Sequence, residues 1–291
     1  MESNIKRNCN ADIFIYSHIP FKPVVTDHVF KVLTHSKEPA SKFNTDLEIF
    51  RDYTDDNIAD MNLMYNEYSG IYWVWKNYSI KDYVGFNHYR RAYTTSKGEI
   101  MEYNKMPTID DIILDGKYKI ILNRRLELRW HKGMPNEGQL ATNKEWYAVW
   151  HNIDDLDLLG KIIAEKYPEY YDGYLTMLDK KYIYPSSLFI MDWGTFDKYC
   201  EYIFGVLEEF RKRRGFNSDK DCIKYVEEHK DLYIKDDPHF SYYDVKMQSR
   251  IVGYIAERAL AAFLMSGGKD SLENNASFFN WELLSEDMFK V

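Results

Sequence analysis

The run Tyr83–Arg91 (YVGFNHYRR) carries the side chains best suited to chemistry. It begins apolar, as a buried strand does, and ends in Asn-His-Tyr-Arg-Arg, so donors and cations gather at its carboxyl tip. Ligands of open α/β sheets bind outside that tip, and a guanidinium offers paired donors to phosphate oxygens. We therefore predict a diphosphate site at His88, Arg90 and Arg91. The alternative is that both arginines pair with acidic side chains.

Alternation along a strand separates the two arginines, because successive side chains point to opposite faces. Arg90 shares a face with His88, so we expect Arg90 to be the catalytic cation and Arg91 to be structural. Asn87 shares the face of Arg91, and both are candidates for binding the donor.

Aromatic side chains make up 16% of the 291 residues. Rings with polar edges suit the faces of sugars and nucleobases, although most tyrosines fill a core. Tyr72, Trp73 and Trp75 fall on one predicted helix, Asn62–Asn77, and we expect them to shape a base or sugar pocket, with Lys76 beside them. An ordinary core position is the alternative for Trp75, which continues the apolar stripe of that helix.

Composition places the chain among globular proteins, with 45% hydrophobic residues and a net charge of −8. No long basic run is present, which argues against a nucleic-acid partner. Cys9, Cys200 and Cys222 lack the spacing of a zinc site or a disulfide framework and fit a reducing compartment. The sequence starts without an apolar leader, so we expect a cytoplasmic protein.

Strand-like and helical runs alternate along the chain, which predicts an α/β fold with a mostly helical C-terminal third. We expect one domain over 1–291 and a long functional loop over Ser36–Asp60. Thr195 and Gly215 are expected to cap one helix. The predicted strands are Asp12–His18, Tyr83–Arg91, Lys117–Asn123 and Tyr184–Met191, and the predicted helices are Asn62–Asn77, two pieces within Asn143–Tyr171, Phe196–Arg214 and Asp244–Met265.

Four segments, in order, resemble a family of bacterial glycosyltransferases of capsular and exopolysaccharide biosynthesis, long described as a domain of unknown function. They are YWVWKN…GFNHYRRAY, YAVWHNIDDL, YPSSLFIMDWGTFDKYCEYIFGVL and RIVGYIAERALAAFL. Ser186 and Ser187 stand where the family has Asn-Met, and Tyr202 replaces a tryptophan. The first strand ends in YSHIPF, where a Thr-His-Lys run is more usual.

The resemblance implies a GT-A-like nucleotide-sugar-binding sheet flanked by helices, with a nucleotide-sugar half at 12–142 and a helix-rich acceptor-side half at 143–291. Many enzymes of this fold hold Mn²⁺ or Mg²⁺ through Asp-x-Asp at a strand end. Here the matching strand end has no carboxylate, and the sequence Asp155-Leu156-Asp157 begins a predicted helix. The metal site is therefore left unassigned, with arginines as an alternative carrier of the phosphate charge.

Glycosyl transfer needs stabilisation of the leaving diphosphate and a proton acceptor for the attacking hydroxyl. We assign the first to His88, Arg90 and Arg91. The candidates for the second are His151, Asp154 and Asp155. Acids of a helix first turn, favoured there by the helix dipole, are the alternative reading of the two aspartates.

Further contacts are expected on both sides of the reaction. Ser17 and His18 leave the first strand, where a uridine would sit, and Asp56 with Asn57 would contact base or ribose. A loop histidine and an Asx turn are the alternatives for His18 and for the Asp56–Asn57 pair. The acceptor-side candidates are Asp192 and Arg258, and a structural ion pair is favoured for Arg258, because a cation in an apolar stripe needs a partner.

The resemblance thus implies transfer of a hexose, galactose or galactofuranose, from a UDP-sugar to a growing, lipid-linked surface-polysaccharide oligosaccharide. Two other classes stay open: a non-catalytic carbohydrate-binding protein, and a phosphate-ester hydrolase or nucleotidyltransferase. We expect at most weak peripheral contact with the inner face of the plasma membrane, because a net charge of −8 offers anionic lipid no broad attraction.

Overall fold

The computed structural model describes residues 10–25, 29–94, 118–134, 136–235 and 244–290. Its strands are β1 (Ala11–Ser17), β2 (Phe30–Thr34), β3 (Ile49–Arg51), β4 (Tyr83–His88), β5 (Arg91–Thr94), β6 (Ile120–Asn123), β7 (Leu126–Glu127), β8 (Tyr182–Ile183), β9 (Phe189–Asp192) and β10 (Ser277–Leu283). Within the described ranges, β7 and β8 pair with each other, and the other strands form one sheet.

The order of that sheet is β3-β2-β1-β4-β9-β6-β10-β5. The first four strands are parallel, and β9 runs antiparallel to both of its neighbours. The carboxyl ends of β1, β2, β3 and β4 therefore meet at one edge. Such an edge is where open α/β sheets bind ligands.

Helices pack against this sheet and against one another. They are α1 (Asn62–Tyr65), α2 (Tyr68–Asn77), α3 (Asn143–Trp150), α4 (Ile153–Lys166), α5 (Tyr171–Asp179), α6 (Trp193–Arg214), α7 (Asp219–Glu228), α8 (Lys230–Tyr233), α9 (Val245–Gln248), α10 (Ile251–Met265) and α11 (Glu286–Phe289). The α/β class and the mostly helical C-terminal third are thus confirmed.

Alternation along β1 divides the core into two clusters. Phe14 and Tyr16 join the larger cluster with α2, α4, α6 and α10, whereas Ile13 and Ile15 join a smaller one on the other face. Every residue of β1 is buried, as expected for a strand covered on both faces. The larger cluster draws on both halves of the chain, from Phe14 to Met265.

The helix predicted over Asn62–Asn77 is broken in two. Asn66 adopts φ 53° and ψ −131° between α1 and α2, a conformation that ends one helix and redirects the next. Asparagine tolerates positive φ better than most residues do, and the sequence has no glycine or proline at this point. Gly70, the weak position of the predicted helix, lies inside α2 instead.

The strand predicted over Tyr83–Arg91 is also shorter than expected. β4 ends at His88, a turn follows at Tyr89 and Arg90, and Arg91 begins β5. Strict alternation therefore does not govern the two arginines. Arg90 lies in the turn, and Arg91 begins β5, which pairs with β10.

Several other boundaries differ from the prediction. The loop predicted over Ser36–Asp60 contains β3, and the helix predicted over Asp244–Met265 is interrupted between α9 and α10. The strand predicted from Tyr184 begins only at Phe189. Asp192, not Thr195, caps α6, because its carboxylate accepts from the Thr195 amide at 3.0 Å, whereas Gly215 ends α6 in the predicted left-handed conformation.

Candidate active site

A cavity of about 650 Å³ opens at the carboxyl edge of the parallel strands. His18 follows β1, His35 follows β2 and His88 ends β4, so three neighbouring strands each deliver an imidazole to it. The opposite wall comes from helices and the turns between them. It includes Glu67, Asp219, Lys246 and Arg250.

One half of this cavity is strongly cationic. Burial lowers the pKa of His18, and Arg90, Arg250 and Lys246 lower it further. Burial lowers the pKa of His88 well below its ordinary value, with Arg91 and Arg90 adding to the effect. Two neutral imidazoles surrounded by cations form a site that an anion would stabilise. We call the region of His18, His88, Arg90, Lys246 and Arg250 the cationic half.

Around His35 the cavity is different. Nδ1 of His35 lies 3.0 Å from a carboxylate oxygen of Asp52, which is fully buried. The other Asp52 oxygen accepts from Tyr16 at 3.0 Å and from Ser69 at 2.6 Å, and Asn62 donates to both of those hydroxyls. A buried carboxylate is stable only when it is so satisfied. The network therefore fixes the orientation of His35.

The break between α1 and α2 positions a carboxyl group at the cavity. Glu67 follows the strained Asn66 directly and lines the wall. Burial raises the pKa of Glu67, and the neighbouring Glu257 raises it further. Asn66 also accepts a hydrogen bond from Arg250, which ties the cationic half to this turn. Backbone strain of this kind clusters at functional sites.

The predicted residues of the first strand and of the HYRR run fall at or beside this cavity. His18, His88 and Arg90 line it. Ser17 is buried beneath it, with its hydroxyl accepting from the Ile19 amide at 3.1 Å. Asn87 and Arg91 lie behind the wall, where the Asn87 amide donates to the Arg91 carbonyl at 3.1 Å and closes the turn.

The three predicted proton acceptors lie outside the cavity lining. His151 is buried against Gln248 at 3.1 Å, and burial lowers its pKa to about 3. Asp154 occupies the first turn of α4, capped by Asn152. Asp155 is fully buried and bonded to Arg214 at 2.6 Å. These contacts hold α4 in place, whereas the carboxyl groups that line the cavity belong to Asp60, Glu67 and Asp219.

The predicted base and ribose contacts also hold the chain together. Asn57 forms an Asx turn, accepting from the Ala59 amide at 3.1 Å, and Asp56 accepts from the Tyr72 hydroxyl at 3.1 Å. Trp73 is buried and donates to the Thr54 carbonyl at 3.0 Å. The ammonium group of Lys76 stands 3.4 Å from the centre of the Trp75 ring. Of the described lining residues, none is among the predicted contacts Asp56, Asn57, Tyr72, Trp73, Trp75 and Lys76.

The two predicted acceptor-side residues have structural contacts. Asp192 caps α6, as described above. Arg258 is buried and pairs with Glu257 at 2.9 Å, over the ring of Tyr147. The ion pair favoured for Arg258 from its position in an apolar stripe is therefore present.

The sequence did not indicate several residues of the site, among them His35, Asp52, Glu67, Lys246 and Arg250. Asp52 falls in the segment expected to be a loop and His35 lies just before it, and the pairing of β2 with β3 brings them together. Arg250 lies 184 positions from its partner Asn66. The one local signal was a cation interrupting the predicted helix Asp244–Met265, at the point where α9 ends.

Within the ranges that the structure describes, no group of three or more His, Cys, Asp or Glu side chains is arranged to hold a metal ion. Asp155 and Asp157 lie on α4, away from the cavity lining. Among the same residues, no helix combines the length and apolarity needed to cross a membrane.

Comparison with known proteins supplies a fold and a family. The apo structure of the bifunctional glycosyltransferase WbbM superposes with a TM-score of 0.65 at 19% identity, covering 95% of this chain and 45% of that one. The chain thus spans less than half of that enzyme, and the likeness shows the shared fold. No curated protein matches the sequence. The family described as a domain of unknown function, DUF4422, matches residues 12–227, and because that range is well over half of the sequence, the chain belongs to the DUF4422 family.

Proposed function

We propose that the protein is a glycosyltransferase that moves a hexose, galactose or galactofuranose, from a UDP-sugar to a growing surface-polysaccharide oligosaccharide. The observation that carries the proposal is the cationic half. Arg90, Lys246 and Arg250 converge there on two imidazoles at the carboxyl edge of parallel strands. The fold shared with a bifunctional glycosyltransferase supports the same reaction class.

In the proposed reaction, the cationic side chains of the cavity act on the leaving group and the carboxyl group of Glu67 acts on the acceptor. The bond from the sugar anomeric carbon to the diphosphate oxygen breaks, and its electrons go to the diphosphate. Arg90 and Arg250 stabilise that growing charge, and fixed donors are most effective where charge develops. The acceptor hydroxyl forms the new glycosidic bond and gives its proton to Glu67, whose raised pKa makes its carboxylate a stronger base.

The acceptor is proposed to be a lipid-linked glycan at the inner face of the plasma membrane. The net charge of −8 predicts only local, weak membrane contact. Flotation with anionic liposomes lacking acceptor should leave the protein unbound. Strong association that survives high salt would contradict this part of the proposal.

The activity test is a reaction of the full chain with a panel of UDP-hexoses and an oligosaccharide acceptor, run with and without Mn²⁺. The expected result is UDP release that depends on the acceptor, with a product heavier by one hexose. Release without an acceptor would indicate a hydrolase. Binding of glycan without any release would indicate a carbohydrate-binding protein, and either result overturns the proposal.

A further inference from the structure

The cavity has a second half, centred on His35, whose chemistry differs from the cationic half. The rings of His35 and Tyr53 meet edge to face in this half, with their centroids 6.4 Å apart. Asp219 lines the cavity, its two carboxylate oxygens accept from the Leu63 and Met64 amides at 3.1 and 3.0 Å, and burial raises its pKa. Asp60 and Leu63 line the same cavity. Aromatic, apolar and acidic groups suit a nucleoside better than they suit a phosphate.

The tautomer of the neutral His35 ring follows from its contact with Asp52. A carboxylate only accepts hydrogen bonds, so Nδ1 of His35 must carry a proton. In the neutral ring Nε2 is then an acceptor, and within the described ranges no protein group meets it. The ring is partly exposed, at 29% of its side-chain surface, and lines the cavity. His35 thus offers a fixed acceptor to whatever occupies this half.

A fixed acceptor discriminates between ligands only where the ligand group can donate a hydrogen bond but not accept one, or accept but not donate. Ribose hydroxyls both donate and accept hydrogen bonds, and the carboxylates of Asp60 and Asp219 line the cavity as acceptors for them. A ring N–H of a nucleobase only donates. The fully buried Asp52, held by Tyr16 and Ser69, keeps one tautomer of His35 in place, which such a partner requires.

Building on the proposed function, we propose that His35 reads the base of the donor nucleotide by accepting a hydrogen bond from its ring N–H. Uracil has that N–H at position 3, whereas cytosine has an acceptor there, so the site selects uridine over cytidine nucleotides. Asp52 is the positioning residue, and it acts through His35. A mismatched base would leave two acceptors facing each other, which costs about 10- to 100-fold in affinity.

The experiment measures dissociation constants of the full chain for UDP and CDP by calorimetry, two probes that share ribose and diphosphate. Wild type should bind UDP at least about tenfold more tightly than CDP. His35→Phe keeps a ring but removes the acceptor, and should bring the two constants together mainly by weakening UDP. His131→Phe, at an exposed histidine outside the cavity lining, is the matched control and should retain the preference.

The outcomes separate this inference from the function it rests on. Equal UDP and CDP affinities in wild type, or an undiminished preference in a folded His35→Phe, overturn the role of His35 and leave the transferase proposal standing. Failure of both nucleotides to bind contradicts the proposed function and the base-reading role together. Should His35→Phe fail to fold, His35→Gln is measured instead. Its rotatable amide offers either a donor or an acceptor, so the preference for UDP should fall. A preference within twofold of the wild-type value would overturn the role of the fixed tautomer.

Discussion

At the scale of single residues, the site combines three kinds of group: cations that we propose hold a diphosphate, a carboxyl group with a raised pKa, and an imidazole fixed by a buried carboxylate. Arg90 and His88 were predictable because both sit in one short motif at a strand end. Glu67 and His35 were not, because their roles come from contacts with Glu257 and Asp52 that local sequence does not encode.

Replacing Glu67 by glutamine tests the proton acceptor. The amide keeps the shape but cannot take a proton, so kcat should fall by about 100- to 10,000-fold while the UDP dissociation constant changes little. Steady-state kinetics and calorimetry measure the two quantities. Glu201→Gln, at an exposed position of α6, should leave both unchanged. A folded Glu67→Gln with wild-type kcat would remove Glu67 from the mechanism.

Donor binding should take up protons. The pKa values of His18 and His88 are lowered in the free protein, and an entering diphosphate offsets the cations and raises both. Uptake is expected below about pH 6.5, the ordinary pKa of histidine, so affinity should rise as pH falls through that range. The groups that act on the two imidazoles are Arg90, Arg91, Arg250, Lys246 and His35.

Calorimetry of a UDP-hexose in two buffers of different ionisation enthalpy measures this uptake. A UDP-hexose is the right probe, since its diphosphate is esterified at both ends and carries no proton that titrates in this range. Zero uptake, or release of protons, would show that the diphosphate binds elsewhere.

At the scale of elements, the strands and long helices were largely predictable, and the breaks were not. β1 and α6 follow their periodicity, and Gly215 marks the end of α6. The break at Asn66 has no glycine or proline to announce it. It is stabilised by Arg250 from a distant part of the chain, a contact that no local pattern reveals. β10 was missed because its partners β6 and β5 lie far away in sequence.

Close packing of α2 against β1 supports the His35 network. A Cβ at Gly70 would stand 2.7 Å from the Tyr16 ring and 2.8 Å from Leu33, too close without movement. Gly70→Ala should therefore lower the free energy of unfolding by about 1–3 kcal/mol and displace Tyr16 from Asp52. Urea denaturation measures the change in the free energy of unfolding. Gly194→Ala, another helical glycine with its nearest neighbour atom at 3.3 Å, should cost nothing comparable, and equal effects would disprove the packing argument.

At the scale of the whole molecule, stability should depend on pH through His151. Its pKa is about 3 when folded and about 6.5 when unfolded, so protons bind preferentially to the unfolded chain below pH 6.5. Stability is therefore lost as pH falls, by about 2 kcal/mol at pH 5 for this group. The raised pKa of Asp155 changes stability with pH in the opposite direction. Its contribution is the same in wild type and in a His151 variant, so it cancels when the two are compared.

His151→Gln isolates that contribution. The difference in the free energy of unfolding between pH 7.5 and pH 5 should shrink by about 2 kcal/mol relative to wild type. Denaturant titrations at both pH values measure it, with the partly exposed His229→Gln as control. An unchanged pH dependence in His151→Gln would mean that this imidazole is protonated in the folded protein.

The whole molecule also joins its two halves at the cavity. Strands from the first half supply His18, His35 and His88, and the chain after α7 supplies Lys246 and Arg250. The sequence predicted His18 and His88 on the strand side but not His35, and it sought the helical side at α4 instead. The correction follows from packing: α4 buries Asp155 against Arg214, and the start of α10 brings Arg250 to the cavity.

The most direct test of the account is kcat for Arg90→Ala and Arg90→Lys, with Arg129→Ala as an exposed control and melting temperatures to confirm folding. If Arg90 stabilises the departing diphosphate, Arg90→Ala lowers kcat by about 100- to 1,000-fold and weakens UDP binding less. Arg90→Lys restores only part of the rate, because an ammonium group lacks the planar pair of donors. A folded Arg90→Ala that turns over at the wild-type rate contradicts the central claim.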